Sequence, residues 1–264
     1  MLKLQIDDQQ YAPAVLTIIV FLFVLVISSW LAPQSISGGG RLRSVLLQIV
    51  VVAGIPLLVV KIMGLQLHSI FRLRFISNLH FSLGILLGIF FIPWLEEIHY
   101  FQSQFSEEVL LFEQQTQKWI QSSSGWHLGW IFLSMAVLPS ICEELLFRGF
   151  ILNLLLKSGN YGQAILISSL MFGIFHRNLV FILPATLAGI LLAILVIQSG
   201  SLLTAVVAHF TINATAILAS NFGTTAIFPW LVKPIHVPLY ILFFSGLAIV
   251  LLIRKLKNKE GFTK

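Results

Sequence analysis

Three short constellations in this sequence put polar side chains where an apolar helix has no ordinary use for them. The first is Glu143-Glu144 with Arg148 beyond, inside the run Leu138-Pro139-Ser140-Ile141-Cys142-Glu143-Glu144-Leu145-Leu146-Phe147-Arg148. The second is Phe172-Gly173-Ile174-Phe175-His176, and the third is His209-Phe210-Thr211-Ile212-Asn213. Residues four apart on a helix share a face, so Glu144 can pair with Arg148, and His209 can project beside Asn213. Glu143 is turned by about 100° from that pair and finds no partner on its own helix. Glu144 therefore reads as the structural acid and Glu143 as the one free to exchange a proton.

These residue types suit amide hydrolysis. A base must deprotonate water, a second group must aim it, and donors must receive the charge that develops on the carbonyl oxygen. Glu143 and His176 fit the first two roles; His209 and Asn213 fit the last. Phe172, one turn before His176, would pack its neighbourhood. A plainer reading makes Glu143, Glu144 and Arg148 a buried ion cluster that only fixes helix packing. A lone histidine in an apolar helix is usually just a satisfied core residue. Two histidines, an asparagine and an unpaired glutamate on three segments argue for function. Glu143, His176 and His209 could also supply three ligands to a zinc ion with an open fourth position. That scheme leaves Asn213 without a role, so no cofactor is the expectation and zinc the alternative. Cys142, the one cysteine, excludes a disulfide framework and reads as a small packing residue.

The three motifs, in this order and at this spacing, resemble the signatures of the CPBP family. These are the CAAX-protease and bacteriocin-processing intramembrane proteases, also called the Abi family or type II CAAX prenyl endopeptidases. The likeness covers a core of roughly residues 78–221. It implies a membrane-embedded helical fold with a water-accessible cavity. By resemblance, Glu143 and His176 activate water and His209 with Asn213 stabilises the oxyanion. The family has also been read as zinc-dependent, and it includes prenylated C-termini, bacteriocin leaders and other membrane proteins among its substrates. Two other classes of function stay open on the sequence alone: a catalytically silent scaffold or immunity protein, and a proton-coupled transporter. Rival protease types lack their residues. There is no HExxH, no Gly-x-Ser-x-Gly, and the only aspartates are Asp7 and Asp8, ahead of the first apolar run.

The elements that must position these groups are membrane spans. The chain is 58% hydrophobic and 10% charged, with a mean hydropathy of +0.96. A soluble surface needs about 25% charged residues, and a span needs roughly 20 apolar residues. The fold class is therefore an all-α membrane protein, a polytopic bundle of about eight helices. Spans are expected at about 13–31, 44–63, 79–95, 126–156, 160–176, 179–198, 202–221 and 235–253. Gly38-Gly39-Gly40 reads as a loop, and Pro139 should kink the over-long fourth span. Residues 1–77 form an N-terminal transmembrane hairpin with a connector, without a legible motif; residues 78–264 hold the protease core and a C-terminal span. The acidic stretch 96–125 carries Glu96, Glu97, Glu107, Glu108 and Glu113; it reads equally as an interfacial amphipathic helix or a solvated connector.

The net charge of +6 does not point to nucleic acid, because the basic residues sit at the ends of apolar runs. The expected partners are the lipid bilayer and a peptide or membrane-protein substrate. With eight spans, Arg41, Arg43, Lys118, Arg177 and Lys233 fall on one side, and the other eleven of the sixteen lysines and arginines on the opposite side. That asymmetry puts both termini in the cytoplasm and the acidic stretch outside the cell membrane. Cysteines introduced at Gln115 and at Asn258, in a Cys142-free background, should be labelled from opposite sides; labelling of both from one side refutes this topology.

Overall fold

The computed structural model describes residues 8–31, 38–122, 124–157, 160–222, 229–231, 233 and 235–256. Among the described residues nine principal helices follow in order: α1 (Asp8–Leu31), α2 (Gly40–Ile62), α3 (Asn78–Ser103), α4 (Glu107–Ile120), α5 (Gly125–Leu156), α6 (Tyr161–Phe175), α7 (Leu179–Ser199), α8 (Leu202–Phe222) and α9 (Leu239–Leu256). Seven are long and apolar enough to cross a membrane; among the apolar ones only α6 is shorter. At 15 residues it spans about 22 Å, against about 30 Å of hydrocarbon. The chain is a polytopic all-α membrane protein.

Hydrogen bonds between loops sort the helix ends into two faces. At one face Arg41 meets Trp119, Asn221 meets Ile120 and Ser122, and Arg177 reaches Ser28. At the other, Leu202 N–H and the Ser201 hydroxyl donate to Arg72 and Arg74 carbonyls, and Asn153 donates to Ile70. The eight helices other than α4 thus alternate in direction, with the short α6 counted as a pass. The Asp8 end of α1 and the Leu256 end of α9 fall at the same face.

Several sequence expectations change at the level of turns. Gly38-Gly39-Gly40 opens a helix, Gly38–Leu46, rather than forming a loop. Glycine's entropic cost is felt in a helix interior, whereas at a helix start it is among the accepted capping residues. The third span runs on to Ser103, carrying Glu96 and Glu97 out of the apolar zone on the same helix. The last begins at Leu239. Pro139 does not break α5. The wider π-helical turn Leu133–Val137 precedes it and absorbs the missing donor, and a second π turn, Leu145–Ile151, follows the glutamates.

The acidic stretch resolves into the helical option. Ser106 caps α4 by accepting from Glu108 N–H at 3.2 Å, and Glu107 and Glu108 sit in its positively polarised first turn. The main apolar core joins the N-terminal helices to the middle of the chain: Val20, Phe21, Val24, Val51 and Val52 pack with Phe147, Phe150 and Ile151.

Close helix approach fixes where the second motif lies. A Cβ on Gly173 would collide with Thr186 Oγ1 and come within 2.6 Å of the Ile182 carbonyl oxygen. Only glycine lets α6 lie this near α7. Overpacking of this kind costs about 1–3 kcal/mol. Gly173→Ala should lower the melting temperature in detergent; a melting curve identical to wild type would show that the two helices separate without penalty.

Candidate active site

The two glutamates of motif one lie on an α-helical stretch of α5, Leu138–Glu144, between the two π turns, and Arg148 lies in the second of those turns. Both glutamates are buried in protein, but they face different surroundings. Glu144 is 0% exposed, and Arg148 one turn on is 1% exposed, the largest fully buried side chain. Arg148 Nη1 donates to Glu144 Oε1 at 2.9 Å. His209 Nδ1 bonds the same oxygen at 2.9 Å. An ionised carboxylate only accepts, so His209 carries its proton on Nδ1 and Glu144 fixes the ring's orientation. The guanidinium also stacks over Phe172, 4.2 Å from the ring centroid.

Phe172 holds the second and third motifs in register. Its ring meets His176 edge-on at 5.0 Å, His209 at 5.7 Å and Phe147 at 5.1 Å. His176 is the residue at which α6 ends, and its Nδ1 bonds the Phe172 carbonyl at 2.9 Å. A carbonyl only accepts, so Nδ1 bears hydrogen and, in the neutral ring, Nε2 is left with a lone pair. Arg177 turns the chain next. It adopts a left-handed backbone conformation, φ 54°, and its guanidinium donates to the Ser28 carbonyl at 2.9 Å, anchoring the turn on α1. Asn178 then caps α7 by accepting from Val180 N–H.

Glu143, His176, His209 and Asn213 all line one cavity of about 450 Å³. Its remaining wall is supplied from outside the three motifs. Gln115 and Trp119 come from α4, Arg41, Ser44 and Gln48 from α2, and Phe181 from the start of α7. Arg41 Nη2 donates to the Trp119 carbonyl at 3.2 Å, tying α2 to α4 at the cavity wall. Phe181 packs on Phe112 of α4 at 4.8 Å and on His176 at 5.9 Å. The α4 helix is thus a roof over the polar groups.

Two features escape the motifs. Glu143 is not partnerless, because Gln48 Nε2 donates to its Oε1 at 3.0 Å from 95 residues away. A lone glutamine inside the apolar run Val45–Ala53 is the signal that marks it. The other concerns a metal. Among the described residues no three His, Cys, Asp or Glu side chains converge as an ion requires. Cys142 is buried in the apolar core next to Glu143.

Comparison with known families places this geometry. The model of the type II CAAX prenyl endopeptidase Rce1-like family matches residues 125–215, a segment that contains all three motifs. In this segment the chain is similar to the CAAX-protease family. Searches of curated proteins and of solved structures each return no match. Helices α1, α2, α3, α4 and α9 lie outside the matched segment.

The buried cluster carries its own prediction. Glu144→Gln leaves Arg148 without its counter-charge and His209 without its anionic partner, and breaking such a pair costs about 3–5 kcal/mol. Purified Glu144→Gln protein should melt well below wild type or fail to accumulate in membranes. Equal yield and equal melting would mean that the ion pair contributes nothing to the fold.

Proposed function

We infer that this protein is an intramembrane endopeptidase in which Glu143 activates water against a peptide bond of a membrane-associated substrate. One observation carries the reading: Glu143, His176, His209 and Asn213 converge on one cavity, while the adjacent Glu144 is committed to Arg148 and His209.

The protons can be followed through the reaction. Water gives one hydrogen bond to Glu143 and the other to the lone pair on His176 Nε2, so both of its hydrogens are held. Glu143 takes a proton as the oxygen attacks the carbonyl carbon. The resulting oxyanion lies toward His209 and Asn213, on one face of α8. Asn213 offers its amide N–H; His209, with Nδ1–H given to Glu144, offers Nε2–H as an imidazolium. The intermediate collapses by breaking the C–N bond, and Glu143 returns its proton to the leaving amine. The products are a carboxylic acid and an amine, which become carboxylate and ammonium when the second proton passes between them on release.

In this scheme, with Glu143 and Glu144 negative and Arg148 and His209 positive, the four groups sum to zero before reaction. When Glu143 takes its proton, the oxyanion replaces the lost negative charge. No net charge appears inside the low-dielectric bundle at any step, which keeps the electrostatic cost low.

A peptide that arrives through lipid is the substrate that a cavity at membrane depth favours. A prenylated C-terminal peptide is the class that the matched family's description names. The charge asymmetry of the loops and the alternating helices support cytoplasmic termini, with α4 on the outer face of the cell membrane.

Glu143→Gln should abolish turnover of peptide substrates while leaving folded protein in the membrane. Asn213→Ala should lower kcat by on the order of 10²–10³-fold, the usual cost of one oxyanion donor. Activity should survive exhaustive chelation. Turnover by Glu143→Gln, or activity lost on chelation and restored by zinc, would overturn the mechanism.

A further inference from the structure

Gln48 lies on α2, outside the family match, in the run Leu46-Leu47-Gln48-Ile49-Val50-Val51-Val52-Ala53. It sits in a π-helical turn, Leu47–Ala53, packed against the stretch of α5 that carries Glu143. Its amide nitrogen makes the one hydrogen bond to the Glu143 carboxylate among the described residues, at 3.0 Å. The carboxylate cannot donate, so the amide must turn its nitrogen toward Glu143. The price of that orientation is visible: Gln48 Oε1 is buried with no hydrogen-bond partner among the described residues.

An unpartnered buried acceptor costs about 1–3 kcal/mol, and an apolar side chain of the same shape would avoid that cost. The residues around it are apolar, whereas Gln48 lines the cavity and spends its amide on the carboxylate. We propose that Gln48 is a positioning residue for the proteolytic reaction, supplied by the N-terminal helix pair. It fixes Glu143 Oε1, so that Oε2 is the oxygen presented to the water. Without it the carboxylate rotates about its terminal torsion, which has broad wells and no other hydrogen bond to hold it. Misplacing a reacting group by about 1 Å can cost on the order of 10²-fold in rate.

This inference rests on the reading of Glu143 as the base, and the experiment separates the two. The full-length chain is purified as wild type, Gln48→Met, Glu143→Asp and the double variant. Kinetics are measured on internally quenched peptides, prenylated and unprenylated, using the one that wild type cleaves best. Gln48→Met should still fold and accumulate in the membrane, lose on the order of 10²-fold in kcat and keep KM within about twofold. In the Glu143→Asp background, where the carboxylate is withdrawn from the amide, the same substitution should cost almost nothing further. Unchanged kcat, a KM effect alone, loss of folded Gln48→Met protein, or full additivity in the double variant would each overturn the role of Gln48. Turnover by Glu143→Gln, or no cleavage of any peptide by wild type, would remove the protease reading on which it stands.

Discussion

A fully buried arginine is the constraint around which this bundle is organised. Arg148 sits inside a membrane protein with almost none of its surface exposed, and a charge at that depth is untenable without a counter-charge. Glu144 supplies it one helical turn away, and the same carboxylate oxygen then holds His209 of α8. The rest follows in order. Phe172 lies under the guanidinium and against both histidines, so α6 must approach α5 closely. Gly173, next to it, removes the Cβ that would keep α7 away. Helices α5, α6, α7 and α8 are located by one ion pair and the ring stacked on it.

The two adjacent glutamates are separated by the pitch of a helix. One residue of rotation turns Glu144 into the charge cluster and Glu143 toward the cavity. The π turns on either side of this segment are the local means of doing so. Each adds a residue to its turn, which shifts the faces of α5 before and after the glutamates. Pro139 could not sit in an ordinary helix interior without loss of a hydrogen bond, and the π turn ahead of it makes the position tolerable.

Charge made most of the site legible in the sequence. Glu143, Glu144, Arg148, His176 and His209 stand out in apolar runs because each is expensive there, and helical spacing alone pairs Glu144 with Arg148. The family likeness rests on the same residues, and the matched segment, residues 125–215, encloses them. What spacing could not reveal was contact across the chain. His209 on Glu144 and Gln48 on Glu143 join segments 65 and 95 residues apart. Gln48 was also quiet because an amide carries no charge and so interrupts an apolar run only mildly. The tri-glycine misled because glycine's usual association with loops does not hold at a helix start. The end of the third span misled because glutamates stop an apolar run without stopping a helix.

The shortness of α6 has a consequence for the lipid around it. Leu166, Ile167, Leu170 and Ile174 are exposed along this helix, so that flank of the protein meets acyl chains. A helix of about 22 Å cannot match a hydrocarbon layer of about 30 Å. The bilayer must thin beside it, or headgroups and water must descend to meet its end, at a cost of fractions of a kcal/mol per Å of mismatch. His176 stands at that end. Water would then reach the cavity that His176 lines more readily in a bilayer of shorter acyl chains.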